Sequence, residues 1–115
     1  MKKVIAVDFD GTLCSKNWPK IGEPNEELIG QLIEEQNNGA LIILFTCRQG
    51  KLLRDAVNWC RNQGLVFDEV NRNTKERIRA YKGDCRKISA DIYIDDRSAV
   101  FSFGEKIDLG GEKVE

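Results

Sequence analysis

Three largely apolar runs punctuate the chain, and each stops at a polar residue capable of chemistry. Val4-Ile5-Ala6-Val7, within 2–10, runs into Asp8; residues 40–45 (ALIILF) stop at Thr46; residues 90–94 (ADIYI) stop at Asp95-Asp96. A continuous apolar run of this length predicts a strand buried on both faces, as in a parallel sheet. Between the runs the pattern becomes periodic. Leu28, Ile29, Leu32 and Ile33 fall on one helical face of 25–38, with Glu26 and Glu27 in the first turn, where they complement the helix dipole, and Gly39 at the stop. Leu52, Leu53, Ala56, Val57 and Cys60 repeat the device over 51–62, closed by Gly64, and 65–70 reads as a short third strand. Strand, helix, strand, helix, strand, a polar segment and a last strand predict an α/β fold. Its expected form is a three-layer, doubly wound parallel sheet with right-handed crossovers.

The polar segment 72–87 carries seven Lys/Arg against two acids, and its periodicity is too weak to define a helix, although Ile78 and Tyr81 could anchor a short one. Two readings of its charge stay open: a solvated surface, or a patch that draws in a polyanionic substrate. The Gly-rich, charged tail 104–115 is expected to be loose. At 115 residues the chain is expected to form one domain, 1–115, with a core that needs no covalent staples.

Composition then narrows the chemistry. No apolar stretch approaches the roughly 20 residues of a membrane span, and no secretory leader is evident, so a cytoplasmic protein without membrane partners is expected. A net charge of −1 argues against nucleic acid as a partner. The absence of histidine excludes Ser-His-Asp and Cys-His catalysis as well as histidine metal sites. Cys14, Cys47, Cys60 and Cys85 form no CxxC pair, which argues against structural zinc. Cys60 reads as a small core residue; Cys14 and Cys47 adjoin the motifs below, as packing or as lining.

In open parallel sheets ligands bind beyond the carboxyl ends of the strands. The residues expected there are Asp8, Asp10, Gly11, Thr12, Thr46, Arg48, Asp95 and Asp96. Four carboxylates in one crevice repel unless neutralised, and a hard divalent cation such as Mg2+, with substrate phosphate oxygens, would do so. Asp8 and Asp10, two apart, address one face, while Gly11 permits a sharp turn that brings backbone N–H groups toward an anion. One carboxylate can attack phosphorus while the other handles protons. A lone DxD is ordinary after a strand, but the four fixed residues of DxDGT arise by chance in roughly one such chain per thousand.

Residues 8–13 (DFDGTL) resemble the first motif of the haloacid dehalogenase (HAD) superfamily, most of whose members are Mg-dependent phosphatases. Thr46 resembles the second motif, Lys87 the third (with Lys82 as competitor), and Asp95-Asp96 the fourth. The resemblance implies a HAD-type Rossmann-like fold and hydrolysis of a phosphomonoester through an aspartyl-phosphate. It makes Asp8 the nucleophile and Asp10 the general acid/base. Thr46 would hold a phosphate oxygen, and the lysine would offset charge. The metal would take Asp8, Asp95, Asp96 and the Asp10 carbonyl.

Only the short segment 14–24 stands where relatives carry a cap, so the chain resembles the compact, capless branch. Trp18 in that flap, and Arg48, are candidate substrate contacts, though Arg48 could equally pair with a site carboxylate. The expected partner is a small phosphorylated substrate, with a second copy of the chain as a lid over the open site. Two alternatives are a receiver-like phospho-Asp signalling domain, disfavoured by motif order, and a phosphoryl-binding protein of little activity.

Overall fold

The apolar runs become neighbouring strands. In the computed structural model, which describes residues 1–98 and 101–110, β1 (Val4–Val7), β2 (Leu41–Leu44), β3 (Glu69–Val70) and β4 (Ile92–Ile94) form one sheet, ordered β3-β2-β1-β4 and parallel at every pairing. Helices α1 (Glu26–Asn37), α2 (Gly50–Asn62) and α3 (Lys75–Tyr81) flank it. The fold is therefore α/β with an all-parallel sheet, as the alternation of patterns predicts.

Why β1 has no polar position follows from its place between β2 and β4, with side chains covered on both faces. Register aligns Ile5 with Ile42 and Ile92, and Val7 with Leu44 and Ile94. This face packs against Leu28, Ile29 and Leu32 of α1 and Ala56 and Cys60 of α2. The opposite face is smaller: Val4, Ala6 and Ile43 are covered in part by Ile88 and Ala90. Each fully buried Leu or Ile contributes roughly 1.5–3 kcal/mol. Burial pushes the Cys60 thiol up to about 12, as befits an inert core residue.

Local chemistry sets the element ends. Asn25 caps α1 by accepting the Leu28 N–H (3.3 Å), and its side-chain amide donates to the Thr12 carbonyl (2.9 Å), tying the helix start to the turn after β1. The third strand is shorter than expected, because Asp68 Oδ2 accepts the Ile42 N–H (2.7 Å) where strand pairing would otherwise begin. Segment 72–87 does contain a helix, capped by Thr74 Oγ1. Tyr81 does not anchor it, being 57% exposed; Arg77 does, buried and paired with Asp91 (2.7 Å) and Ser89 (3.0 Å). A buried arginine leaves no apolar periodicity, which is why the helix is faint in the sequence. Part of the tail expected to be loose is held: the Ile107 carbonyl accepts from Gln31 (2.8 Å) and the Leu109 carbonyl from Lys3 (2.6 Å), while 111–115 lie outside the described residues. Among the described residues, no helix is long and apolar enough to cross a membrane.

Asp91 joins the two faces, accepting both the Val4 N–H (2.8 Å) and Arg77. The Val4 N–H, then the Arg77 hydrogen bond and charge, hold its carboxyl below the usual range against the opposing effect of partial burial. A lowered native pKa contributes stability that is present above the unfolded-state value and lost as pH falls through the native one. Asp91→Asn should therefore cost about 1 kcal/mol at neutral pH. In urea titrations across pH, the gap from wild type should close below about pH 4; a gap that stays constant down to pH 2 would contradict this role.

Candidate active site

Parallel pairing continues one residue beyond the strands, and this continuation builds the site. The Asp8 N–H donates to the Ile94 carbonyl (2.9 Å), the Phe45 N–H to the Val7 carbonyl (3.0 Å) and the Asn71 N–H to the Leu44 carbonyl (2.7 Å). The residues that follow the four strands thus meet at one edge. Asp8, Phe45, Thr46, Asn71, Asp95 and Asp96 line a cavity of about 650 Å³, together with Asp10, Lys16, Trp18, Cys47 and Arg97. Strand order changes direction at β1, so the cavity lies where open sheets place their ligands.

Asp8, Asp95 and Asp96 each offer a carboxylate oxygen, and these lie within 4.8 Å of one another. Burial first, then the charges of Asp95 and Asp96, push the Asp8 carboxyl up to about 6, although hydrogen bonds from the Phe9 backbone and the Thr12 hydroxyl (3.3 Å to Oδ2) pull the other way. Burial would raise Asp96 too, but a hydrogen bond with Asp95, the hydrogen bond and charge of Lys16 and the charge of Arg97 hold it below the ordinary range. Lys16 Nζ lies 3.2 Å from Asp96 Oδ2. The donor set, three converging hard oxygens with one strained by its neighbours' charge, fits a divalent cation of the magnesium class.

Gly11 is indispensable to the cluster. Its φ is +83°, and a Cβ there would lie 2.5 Å from Asp96 Oδ2 and 2.9 Å from Lys16 Cε. The backbone N–H groups of this turn, expected from sequence to approach an anion, are spent within it: that of Gly11 on the Cys14 carbonyl (2.9 Å), those of Thr12 and Leu13 on the Phe9 carbonyl (3.1 and 2.9 Å). Thr12 is likewise not a cavity residue. It is fully buried and serves Asp8.

Asp10 lines the cavity, but its carboxylate lies outside the three-acid cluster. Both its oxygens are taken by Arg48, from Nε (2.9 Å) and Nη2 (2.7 Å). Arg48 is only 1% exposed, so it is not the substrate contact that one sequence reading allowed; the ion-pair reading holds. Its guanidinium lies 5.0 Å from the Phe9 ring centroid and 5.0 Å from that of Trp18, and donates to the Pro19 and Lys20 carbonyls (3.1 Å each). One buried cation therefore fastens the acid, the flap and the core. Removing Asp10 would leave that charge unpaired, at a cost of roughly 3–5 kcal/mol.

Thr46 stands at the cavity with its Oγ1 accepting the Arg48 N–H (3.1 Å) and its own N–H donating to Asn71 Oδ1 (2.8 Å). Among the described residues its hydroxyl proton meets no acceptor, which leaves it able to donate to a ligand. Neither Lys87 nor Lys82 joins these residues: both are exposed, neither lines the cavity, and Lys82 forms the left-handed end of α3. The lysine beside the acids is Lys16, from the flap, and Arg97 adds a second cation to the cavity wall. Sequence reasoning missed Lys16, together with Asn71, Phe45 and Arg97; an Asn directly after a short strand, here at φ 54°, was the available signal for Asn71. Cys14 is buried, with its thiol raised by burial, and so packs; Cys47 is exposed at the cavity.

No protein-family model matches the chain, and no curated protein matches it. A solved structure does: a conserved protein from Bacteroides thetaiotaomicron, 38% identical, with a TM-score of 0.75 over 86% of this chain and 79% of that one. The chain belongs to the family of that protein.

The raised Asp8 pKa has a sign that stability can read. The native state holds this proton more tightly than the unfolded chain, so the cost of ionising Asp8 is absent below about pH 4, grows toward pH 6 and is full above it. Asp8→Asn should therefore stabilise the metal-free protein at pH 8 by roughly 1 kcal/mol, after discounting for partial exposure, and should leave it unchanged at pH 3.5. Thermal melts at the two pH values decide it, and a variant less stable than wild type at pH 8 would contradict the electrostatic account.

Proposed function

As a reading of this family member, we propose a divalent-metal-dependent phosphohydrolase of the HAD type, cleaving a small phosphomonoester through a phospho-Asp8 intermediate. What supports it most is the three-acid cluster opening on a cavity in which Thr46 retains a free hydroxyl proton. In this reading the sheet order is that of a doubly wound, three-layer HAD core, and the flap 14–24 replaces a cap. Four free thiols suit a reducing compartment such as the cytoplasm. A second copy of the chain would serve as a lid.

Magnesium held by Asp8, Asp95 and Asp96 would supply charge neutralisation to the phosphoryl oxygens. The remaining work falls to side chains. An Asp8 oxygen attacks phosphorus as the bond to the leaving oxygen breaks, and that oxygen takes the departing electron pair. Asp10, having first taken a proton from solvent, gives it to that oxygen, then removes one from the water that attacks phospho-Asp8, releasing inorganic phosphate, restoring the Asp8 carboxylate and leaving Asp10 protonated for the next cycle. Asp10 can do this only by turning away from Arg48, which would keep its other contacts to the flap carbonyls. Thr46 donates to a phosphoryl oxygen, and Lys16 exchanges Asp96 for the phosphoryl group. These are positioning and charge effects, which are most of what phosphoryl transfer demands.

One observation favours a second reading. With both Asp10 oxygens on Arg48, the chain could hold a phosphoryl group and release it slowly. Multiple turnovers of an aryl phosphate separate the two, and they also separate hydrolysis from receiver-like signalling.

Asp8→Asn should lower kcat by at least about a thousandfold, and chelation should abolish turnover reversibly on readdition of magnesium. Full activity in the Asp8→Asn protein would end the mechanism. Lys16→Ala should reduce kcat/KM by roughly tenfold to a hundredfold, whereas Lys87→Ala should stay within about twofold of wild type. The reverse order would restore the lysine assigned by resemblance.

A further inference from the structure

Resting on the phosphohydrolase reading, we infer that the site takes phosphomonoesters whose alcohol portion carries a flat aromatic ring, seated against Trp18 and Phe45. Trp18 is 59% exposed although it is the largest side chain of a fastened flap. One face of its indole is occupied by Arg48, whose guanidinium lies 5.0 Å from the ring centroid, and the residue also lines the cavity. The flap cannot simply fold the ring away. Arg48 holds the Pro19 and Lys20 carbonyls, and Ser15 pairs with Glu23 through both its N–H and its hydroxyl (2.8 Å each). The indole is thus a platform whose orientation is set before any ligand arrives, which lowers the entropic cost of stacking.

Phe45, the first residue after β2, brings a second ring to the same cavity, which Cys47 also lines. Asn71 Oδ1 is committed to the Thr46 N–H, so beyond the charged groups and the Thr46 hydroxyl, which the phosphoryl group would take, a polyol is left with the Asn71 amide N–H groups, whereas an aromatic group has two rings to cover. The cavity, about 650 Å³, has room for an aryl ester or a mononucleotide. The two sources share the ring, and they differ in whether a sugar separates it from the phosphate.

Binding of phosphonates tests this without confusing ring recognition with leaving-group reactivity. Calorimetry in magnesium should show benzylphosphonate binding about tenfold tighter than methylphosphonate, with that ratio falling toward one in Trp18→Leu, which keeps bulk, and surviving in Trp18→Phe, which keeps a ring. Adenosine monophosphate compared with ribose 5-phosphate gives the nucleotide arm; a preference there but none for benzyl over methyl assigns the ring to a nucleobase. Equal affinities in both arms overturn the inference, and a ratio that persists in Trp18→Leu overturns the role of Trp18. The phosphohydrolase reading fails separately, through lack of turnover of any ester, because these binding ratios require none.

Discussion

The parallel register of β1 with β4 obliges like charges to live side by side. Val7 pairs with Ile94, so the next residues along, Asp8 and Asp95, leave the sheet together, with Asp96 immediately behind. Nothing in the backbone can relieve this, because the Asp8 N–H is itself bonded to the Ile94 carbonyl. Repulsion between carboxylates in a half-buried setting is thus a consequence of β-pairing, and the remaining features of the site respond to it. Gly11 lets the chain pass close enough for Asp96 to face the cluster. Lys16 returns from the flap to offset part of the charge, and Thr12 donates to Asp8 from beneath.

The fourth acid is treated differently. Asp10 is drawn out of the cluster by Arg48, a buried guanidinium that would be costly without a partner. Four of its five N–H donors are shared between one carboxylate and two flap carbonyls, and its guanidinium carbon lies over two aromatic rings. A planar, delocalised cation suits this task where an ammonium would not. The same residue therefore fixes both Asp10 and the flap that carries Trp18.

The opposite face of the sheet has a supporting role. Its apolar cluster is small, and polar contacts through Arg77 and Asp91 carry much of the attachment of segment 72–90, which Asn73 ties to itself through Asp84 and Ser89. Precision at the cavity edge depends on the larger face, where α1 and α2 clamp the strands whose ends hold the acids.

Much of this was legible in the chain itself. Apolar runs encode strands covered on both sides, the periodic stretches encode α1 and α2, and the abrupt switch from apolar to acidic marks where the acid-lined cavity lies, because hydrophobic spacing is a local property. Partner choice is not local. Arg48 and Asp10 are 38 residues apart, and whether the guanidinium turns to that acid or to a ligand depends on the flap it also holds. Lys16 meets Asp96 only because β4 inserts beside β1, whereas Lys87, adjacent to the last strand in sequence, ends on the surface. Arg77 anchors α3 in a place where a periodicity search expects an apolar residue. Residue types and strand ends were determined by sequence; which cation serves which carboxylate was decided by the order of strands, since electrostatic pairing follows distance in space and not along the chain.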